Sequence, residues 1–246
     1  MKERLQRAAE ILLKMPSCAL TGAGVSTESG IPDFRSDTGY YQAMDPMAAL
    51  SRETLMGDPK RFYQEGYRIL TDLEGKEPNP AHIALARLEE LGVLEGLVTQ
   101  NIDNLHTAAG SQKVFEVHGH TRTVHCISCG NVESFRDYRE KVSGGEIPPR
   151  CSRCGGVLRP DVVMFGDAMP ETFEKAYRLA ERMGAMLVVG SSLTVAPVSY
   201  LPGLVEHLII VNREPTPYDK RAEVIFREDA GVVLPALVKT IEGMKR

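Results

Sequence analysis

The sequence predicts an α/β fold with a parallel sheet that helices cover on both faces. Short apolar runs recur along the chain, and helical segments lie between several of them. Most of these runs are apolar throughout rather than alternating, which is typical of strands buried on both faces of a sheet. Because ligands of such sheets bind beyond the carboxyl ends of the strands, the loops that follow the runs are the first place to look for a site.

The apolar runs predict the strands one by one. They cover residues 18–21, 97–99, 114–117, 162–165, 186–189, 208–211 and 224–226. The clearest helix begins after Asn79 with Pro80 in its first turn, and it ends at Gly92. A shorter amphipathic stretch near the N-terminus has Leu5 and Leu12 at helical spacing.

Composition excludes several classes of protein. A chain of 246 residues with 43% hydrophobic content can bury one large core with a smaller module set into it. The net charge of −4 argues against attachment to nucleic acid or anionic lipid by bulk charge. No run approaches the ~20 apolar residues of a membrane span, and the N-terminal stretch lacks the features of a signal peptide. We therefore expect a cytoplasmic protein that does not bind membranes. We also expect a monomer.

Paired cysteines predict one structural zinc ion per chain. Cys126 and Cys129 form one C-x-x-C pair, and Cys151 and Cys154 form a second. Two such pairs can place four thiolates around one Zn²⁺, which leaves no open position for a catalytic water. A module of this length, residues 122–158, cannot bury enough apolar surface to fold without such a metal. Cys18, in the first predicted strand, is expected to be a core thiol.

A zinc module also raises the alternative of nucleic-acid binding. Basic residues occur in the module, among them Arg122, Arg136 and Arg150. Acidic residues such as Glu133 and Asp137 lie between them, and no aromatic platform for stacking bases is evident. We therefore do not expect nucleic acid as a partner.

Glycine-rich or polar loops follow several of the predicted strands. Gly22 and Gly24 are the first two glycines of a dinucleotide-binding loop, G-x-G-x-x-G, and we expect a helix N-terminus to follow them. Thr27 stands where the dehydrogenase pattern has its third glycine. This replacement disfavours a nicotinamide dehydrogenase. The other loops carry polar side chains that could converge on one ligand: Gln100, Asn101 and Asp103, then His118, then Gly190, Ser191 and Ser192, and finally Asn212.

A histidine at the end of a strand is accessible and titrates near neutrality, so His118 is a candidate general base. His120, two residues further on, is a rival that the sequence leaves open. His82 and His106 are expected to be structural helix residues with satisfied rings.

The combined motifs "GAGVSTESGIPDFR", "TQNIDNLH", "HG" after a strand, the two C-x-x-C pairs, "VVMFGD", "GSSLTVAP" and "IIVN" resemble the sirtuin family of NAD-dependent protein lysine deacylases. The resemblance covers essentially the whole chain, with the motifs in the family's order. It implies a Rossmann-like domain of residues 1–39, 74–121 and 159–246. It also implies a smaller domain made of a helical insertion, 40–73, and the zinc-ribbon module, 122–158.

The resemblance implies a role for individual residues. The NAD-binding set is Ala23, Gly24, Thr27, Phe34, Arg35, Gln100, Asn101, Ile102, Asp103, His118, Gly190, Ser191, Ser192, Asn212 and Ala230. The catalytic residues would be His118 and Asn101. The acyl-lysine peptide would add as a strand beside "VVMFGD" and "LTVAP", contacting Val163, Phe165, Gly166 and Val195.

The implied reaction consumes NAD as a co-substrate. The acyl oxygen attacks the ribose carbon as nicotinamide leaves, and His118 takes a proton from a ribose hydroxyl, which then attacks the resulting alkylamidate. The products are free lysine, nicotinamide and 2′-O-acyl-ADP-ribose.

A protein ADP-ribosyltransferase that uses the same NAD site remains the alternative. In family members that prefer acidic acyl groups, the helical insertion carries a Tyr and, three residues later, an Arg. In this chain the residue three positions after Tyr63 is Gly66, although Arg68 lies close by. We therefore expect a neutral acyl substrate such as acetyl-lysine.

Overall fold

The computed structural model describes residues 1–37 and 39–245. Thr38 and Arg246, which fall within the predicted ranges 1–39 and 159–246, lie outside the described residues. The strands are β1 Ser17–Thr21, β2 Leu97–Thr99, β3 Val114–Glu116, β4 Gly119–Cys126, β5 Val132–Ser134, β6 Leu158–Val162, β7 Ala185–Val189, β8 His207–Val211 and β9 Val224–Phe226. The α-helices are α1 Lys2–Lys14, α2 Pro46–Ala49, α3 Arg52–Gly57, α4 Pro59–Arg61, α5 Tyr67–Thr71, α6 Pro80–Glu90, α7 Leu105–Ala108, α8 Phe135–Ser143, α9 Glu171–Ala180 and α10 Ala230–Met244.

The larger sheet has six strands in the order β3-β2-β1-β7-β8-β9, and every neighbouring pair is parallel. The strand order reverses between β1 and β7, and ligands of such sheets bind at this point, beyond the carboxyl ends of the strands. This confirms the predicted Rossmann-like sheet. It also places the polar loops after β1, β2, β7 and β8 along one edge.

Helices cover both faces of this sheet, as the apolar runs predict. Alternate residues of each strand enter two separate cores, because successive side chains of a strand point to opposite faces. One core includes Leu187 and Ile209 with residues of α1, α6 and α10. The other includes Met186 and Val188 with residues of α9.

A second sheet of three strands, β5-β4-β6, is antiparallel. The prediction of a strand at 162–165 was wrong in its position, since β6 covers Leu158–Val162 and belongs to this second sheet. The burial of β6 alternates: Leu158 and Val162 are buried, whereas Arg159 and Asp161 are only partly so. A search for continuous apolar runs misses a strand that is buried on one face only.

The helical insertion and the zinc-ribbon module share one core. Leu55, Phe62 and Tyr63 from the insertion pack in one cluster with Val124 and Tyr138 from the module. The hydroxyl oxygens of Tyr63 and Tyr138 lie 2.7 Å apart in this buried contact. The cluster supports the predicted small domain, and the domain boundaries themselves stay a prediction.

Helix α6 begins as its sequence predicts. The Asn79 side chain accepts hydrogen bonds from the N–H groups of Ala81 and His82, while His82 Nδ1 accepts one from the Asn79 N–H. This reciprocal cap satisfies donors that a helix N-terminus otherwise leaves unpaired.

Within residues 1–37 and 39–245, no helix is long and apolar enough to cross a membrane.

Candidate functional site

The loops that follow β1 and β7 touch each other through their backbones. The Gly24 N–H donates to the Gly190 carbonyl at 2.9 Å, and a Cβ on Gly24 would lie 2.8 Å from the Gly190 Cα. Gly190 has φ +62, and a Cβ there would lie 2.2 Å from the Val25 nitrogen. These two glycines are therefore required for packing between the loops, whereas the sequence predicted Gly24 only as part of a dinucleotide-binding loop.

The helix expected after Gly22 is present as a 3-10 helix, Ala23–Ser29. Thr27, at the position of the missing third glycine, donates its hydroxyl to the Gly24 carbonyl at 3.0 Å. Thr27 thus closes the turn with a side-chain bond, and Ser26 points its hydroxyl into the protein interior.

A buried polar cluster connects this turn with the loop after β2. The Ser26 hydroxyl donates to Asp103 Oδ2 at 2.7 Å, and the Asn101 amide donates both to Ser26 Oγ at 3.0 Å and to Asp103 Oδ2 at 3.2 Å. Asp103 Oδ1 accepts the Leu105 N–H at 3.0 Å. Asn104, which lies between Asp103 and Leu105, has φ +65, a left-handed conformation that asparagine tolerates. Asn101 and Asp103 are therefore held in one fixed arrangement at the edge of the sheet.

His118 is oriented by the backbone on both sides. Its Nδ1 lies 2.9 Å from the Gln100 carbonyl oxygen, and its own carbonyl accepts the Val163 N–H at 2.8 Å. Because a carbonyl oxygen can only accept, Nδ1 carries the proton and Nε2 of the neutral ring keeps its lone pair. Burial lowers the pKa of His118 from 6.5, and the bond to Gln100 opposes this only in part. The ring is therefore a neutral base at physiological pH.

His120 is placed differently. Its Nδ1 accepts the Arg122 N–H at 3.4 Å, so its ring bonds to the exposed side of β4 rather than to the loop after β2. The intervening Gly119 has φ +77, and a Cβ there would lie 2.1 Å from the Asp161 carbonyl oxygen. The close approach of β6 thus requires glycine between the two histidines.

The loop after β7 is connected with the loop after β2. The Gln100 amide donates to Ser191 Oγ at 3.2 Å, and the same oxygen accepts the Leu193 N–H at 3.3 Å. Both lone pairs of the Ser191 hydroxyl are then used, and its proton remains for an acceptor such as a phosphate oxygen. The Ser192 hydroxyl lies 2.9 Å from that of Thr194 at the surface.

The predicted NAD-binding residues Asn212 and Ala230 lie beyond β8 and β9. Asn212 follows β8, and its amide donates to the Glu214 carbonyl at 2.8 Å. Ala230 is the first residue of α10, whose next N–H, from Gly231, donates to the Glu28 carboxylate at 2.8 Å. Glu28 belongs to the 3-10 helix after β1, so this bond brings Ala230 to the same edge of the sheet.

Phe34 and Arg35 lie on the segment that leads into the helical insertion. The Phe34 ring lies 5.6 Å from that of Tyr40, and the Arg35 guanidinium lies 5.5 Å from the ring centre of Tyr41. The Asp33 carboxylate accepts the Arg35 N–H at 3.1 Å and closes the turn. These contacts hold Phe34 partly buried and leave Arg35 exposed.

The predicted peptide-binding segment runs directly beside His118. The N–H groups of Val163, Met164 and Phe165 donate to His118 O, Asp167 Oδ2 and Leu50 O, respectively. Strand addition by a peptide therefore has to use other groups of this segment. Phe165 is 36% exposed, and Gly166 follows it with φ +88. Val195, on the loop after β7, is partly buried.

The four cysteines of the small module form one cluster. Their Sγ atoms all lie within 4.8 Å of one another, with Cys126 and Cys154 3.5 Å apart and Cys129 and Cys151 3.9 Å apart. A tetrahedron of thiolates about 2.3 Å from a zinc ion has edges of about 3.8 Å, so the spacing fits Zn²⁺. The Arg153 N–H points at Cys151 Sγ at 3.3 Å, as an amide does when it supports a thiolate ligand.

A model described as the Sir2 family matches residues 22–197 of this chain. The chain belongs to the Sir2 family. It is 51% identical over 235 residues to the NAD-dependent protein deacetylase 2 of Caldanaerobacter subterraneus subsp. tengcongensis, covering 95% of this chain and 94% of that protein. It is 40% identical over 256 residues to the NAD-dependent protein deacylase of Pyrococcus furiosus, covering 98% and 100%.

Solved Sir2 structures share the fold of this chain. One, a histidine-to-alanine Sir2 variant with deacetylated p53 peptide and 3′-O-acetyl ADP-ribose, has a TM-score of 0.91 and 33% identity, covering 96% of this chain and 97% of that one. A Sir2 complex with p53 peptide and NAD⁺ has a TM-score of 0.88 and 33% identity, covering 98% and 99%. The predicted sirtuin resemblance is confirmed, and the names of these Sir2 proteins give no support to the ADP-ribosyltransferase alternative.

The sequence did not assign a role to every residue in the polar cluster of this Sir2 protein. Ser26 has no predicted role, and His82 is predicted only to be a structural residue. The His82 Nε2 lies 3.4 Å from Ser26 Oγ, and its ring lies 4.8 Å from that of His106. The expectation that both rings are satisfied was wrong for His106, whose buried Nδ1 has no hydrogen-bond partner among residues 1–37 and 39–245. The sequence does not reveal this cluster because its members lie far apart along the chain. They come from the 3-10 helix after β1, from α6 and from the loop after β2.

Proposed function

We propose that this chain is an NAD-dependent protein lysine deacylase that transfers the acyl group of an acyl-lysine to ADP-ribose and releases nicotinamide. The observation that carries the proposal is His118, a neutral base fixed through Nδ1 beside the Asn101–Asp103 cluster. The relatives named as NAD-dependent deacetylases and deacylases support it across nearly the full length of the chain. Acyl-lysine, NAD⁺ and water are converted to lysine, nicotinamide and acyl-ADP-ribose.

The base in this reaction is the free Nε2 of His118. An amide is a poor electrophile but its oxygen is a nucleophile, so the reaction uses the glycosidic bond of NAD as the activated partner. Nε2 then accepts a proton from a ribose hydroxyl, which makes that oxygen the next nucleophile. The bond to the Gln100 carbonyl holds the ring in the tautomer that can accept this proton.

The remaining site residues divide by their position on the sheet edge. We place nicotinamide and its ribose near Asn101, Ile102 and Asp103, and the phosphates near Ser191 and Ser192. Adenosine then lies towards Asn212 and Ala230, with Ala23, Gly24, Thr27, Phe34, Arg35, Gln100 and Gly190 completing the NAD-binding set. The acyl-lysine enters beside Val163, Phe165, Gly166 and Val195.

A Zn²⁺ ion held by Cys126, Cys129, Cys151 and Cys154 stabilises the small domain. Location in the cytoplasm and the monomeric state stay predictions from the sequence.

The proposal is tested by incubating the protein with an acetyl-lysine peptide, with and without NAD. We expect the peptide to lose the mass of its acetyl group only when NAD is present, with release of nicotinamide and no absorbance from NADH. Formation of NADH would indicate a dehydrogenase. A peptide or protein that gains ADP-ribose while the acetyl group stays in place would contradict the proposal.

The lowered pKa of His118 predicts how activity depends on pH. Only the neutral ring accepts a proton, so kcat/KM should rise with pH and become constant once the ring is neutral. Because burial lowers this pKa from 6.5, the midpoint of the rise should lie below pH 6.5. The measurement is kcat/KM for the acetyl peptide at saturating NAD across the acidic range. A midpoint above 6.5 would show that His118 is not the titrating base.

Gly66 predicts that acidic acyl groups are poor substrates. A Cβ on Gly66 would lie 2.3 Å from the Ala49 carbonyl oxygen, so no side chain fits there, and Arg68 is 70% exposed beside Asp72. A carboxylate brought into the acyl site would then lack a cation, which costs several kcal/mol. We expect kcat/KM for a succinyl peptide to be at least ~100-fold below that for acetyl. A butyryl peptide is the control of equal chain length. Equal rates for succinyl and butyryl would refute the prediction.

A further inference from the structure

Lys141, in α8, directs its N–H donors at three different partners. Its Nζ lies 2.6 Å from Glu133 Oε2, 2.7 Å from the Arg150 carbonyl oxygen and 2.9 Å from Ser152 Oγ. An ammonium group has three donors and no acceptor, so these partners use it completely. Arg150 and Ser152 stand on either side of Cys151 in the sequence. Lys141 therefore holds the chain at both neighbours of one thiol.

Glu133, in β5, bonds to the same short stretch of chain. Its Oε1 accepts the Ser152 N–H at 2.8 Å, and its Oε2 accepts the Ser152 hydroxyl at 3.3 Å. The Asn131 amide nitrogen lies 3.4 Å from Glu133 Oε1 and 3.7 Å from Cys151 Sγ. The Lys141 and Glu133 side chains are only 20% and 10% exposed, so little water competes for these bonds. Lys141, Glu133 and Asn131 thus form a hydrogen-bonded network around Cys151.

The two cysteine pairs are attached to the module in different ways. Cys126 is the last residue of β4, so the small sheet holds the first pair. Cys151 and Cys154 lie in the loop between α8 and β6, and the Cys151 N–H bonds within this loop, to the Gly156 carbonyl at 2.7 Å. The network around Cys151 connects this second pair to α8 and β5.

We infer that Lys141 is a positioning residue, which acts with Glu133 to hold Cys151 where it binds Zn²⁺ and so slows the release of the metal. Residues that orient metal ligands change metal affinity by about 10–100-fold when they are replaced. The Lys141–Glu133 pair adds no net charge beside the thiolates, so we expect its effect to come from geometry. This role is independent of the proposed deacylase activity and can be tested without turnover.

Three variants separate geometry from charge. Lys141→Met keeps the apolar stem and removes all three donors. Because it leaves the Glu133 carboxylate without its cation, it is also combined with Glu133→Gln, which keeps an acceptor for the Ser152 N–H. Lys141→Arg keeps the charge, but a planar guanidinium cannot direct three N–H groups from one nitrogen. Arg136→Met is the matched control, since it removes a cation from α8 whose side chain is 84% exposed and paired with Glu140.

The first measurement is the rate at which zinc-loaded protein gives up its metal to an excess of a chromogenic pyridylazo chelator, well below the Tm. We expect release to be about 10–100-fold faster in Lys141→Met, with and without Glu133→Gln, and intermediate in Lys141→Arg. Arg136→Met should release zinc at the wild-type rate. Wild-type release from both Lys141→Met proteins, or equal acceleration in Arg136→Met, would overturn the inference.

The second measurement distinguishes positioning from a general loosening of the module. Each pair contains one buried and one exposed cysteine, so exposure favours neither pair. Zinc-loaded Lys141→Met is treated with iodoacetamide, and its peptides are weighed by mass spectrometry. We expect Cys151 and Cys154 to be alkylated before Cys126 and Cys129. Alkylation of all four thiols at one rate would show that Lys141 only stabilises the module as a whole, and the inference would fail.

Discussion

His118→Ala is expected to lower kcat for deacetylation about 10³-fold, within the range that general bases contribute to enzyme reactions. The substitution removes the Nε2 that accepts the ribose proton, and no other imidazole is anchored to the loop after β2, within residues 1–37 and 39–245. The side chain is only partly buried and bonds to a backbone carbonyl, so the fold should survive its loss. Single-turnover measurements of peptide mass at saturating NAD give the rate.

His120→Ala is the matched control for this variant. It removes an imidazole two residues away that accepts the Arg122 N–H on β4, and we expect activity close to that of the wild type. Activity lost in His120→Ala and retained in His118→Ala would assign the base to His120. That result would contradict the geometry described above.

Cys151→Ser is expected to remove the metal and unfold the small domain, with loss of activity. Structural zinc sites contribute ~10–16 kcal/mol of apparent binding energy, which is folding energy for a module of this kind. The effect should reach the base, because β4 carries Cys126 at its end and begins at Gly119, directly after His118. Metal analysis and circular dichroism should show less than one zinc ion per chain and a loss of β-structure.

Cys18→Ala is the control for the cysteine variant. Cys18 is buried in β1 within the core of the parallel sheet, away from the four clustered thiols. We expect this variant to keep one zinc ion per chain and to lose only a modest amount of stability. A Cys151→Ser protein that stays folded and active without zinc would show that the metal is dispensable.

The strands of the parallel sheet could be predicted because burial on both faces leaves a continuous apolar run in the sequence. β4 and β6 could not, since only alternate residues such as Val124 and Leu158 are buried there, and polar residues lie between them. The paired cysteines still located the module, because thiol spacing is a local signal that does not depend on the strands around it. The sequence thus predicts those elements that leave a recognisable pattern within one short stretch of the chain.

The candidate site shows the same limit. His118, Asn101 and Asp103 could be predicted because each directly follows a strand, and strand ends in a parallel sheet share one edge. The contact of His82 with Ser26 spans 56 positions and depends on how α6 packs against the 3-10 helix. The packing of Gly24 against Gly190 is likewise a tertiary contact, which the loop motif by itself does not reveal.

The fate of the acetyl group distinguishes deacylation through ADP-ribose from simple hydrolysis and from ADP-ribosyl transfer. A peptide with a ¹³C-labelled acetyl group on lysine is incubated with NAD and the wild-type protein, and the products are separated and weighed by mass spectrometry. We predict equal amounts of free peptide, nicotinamide and labelled 2′-O-acetyl-ADP-ribose at early times. Labelled free acetate formed without consumption of NAD, or ADP-ribose attached to protein with the label still on the peptide, would contradict the account.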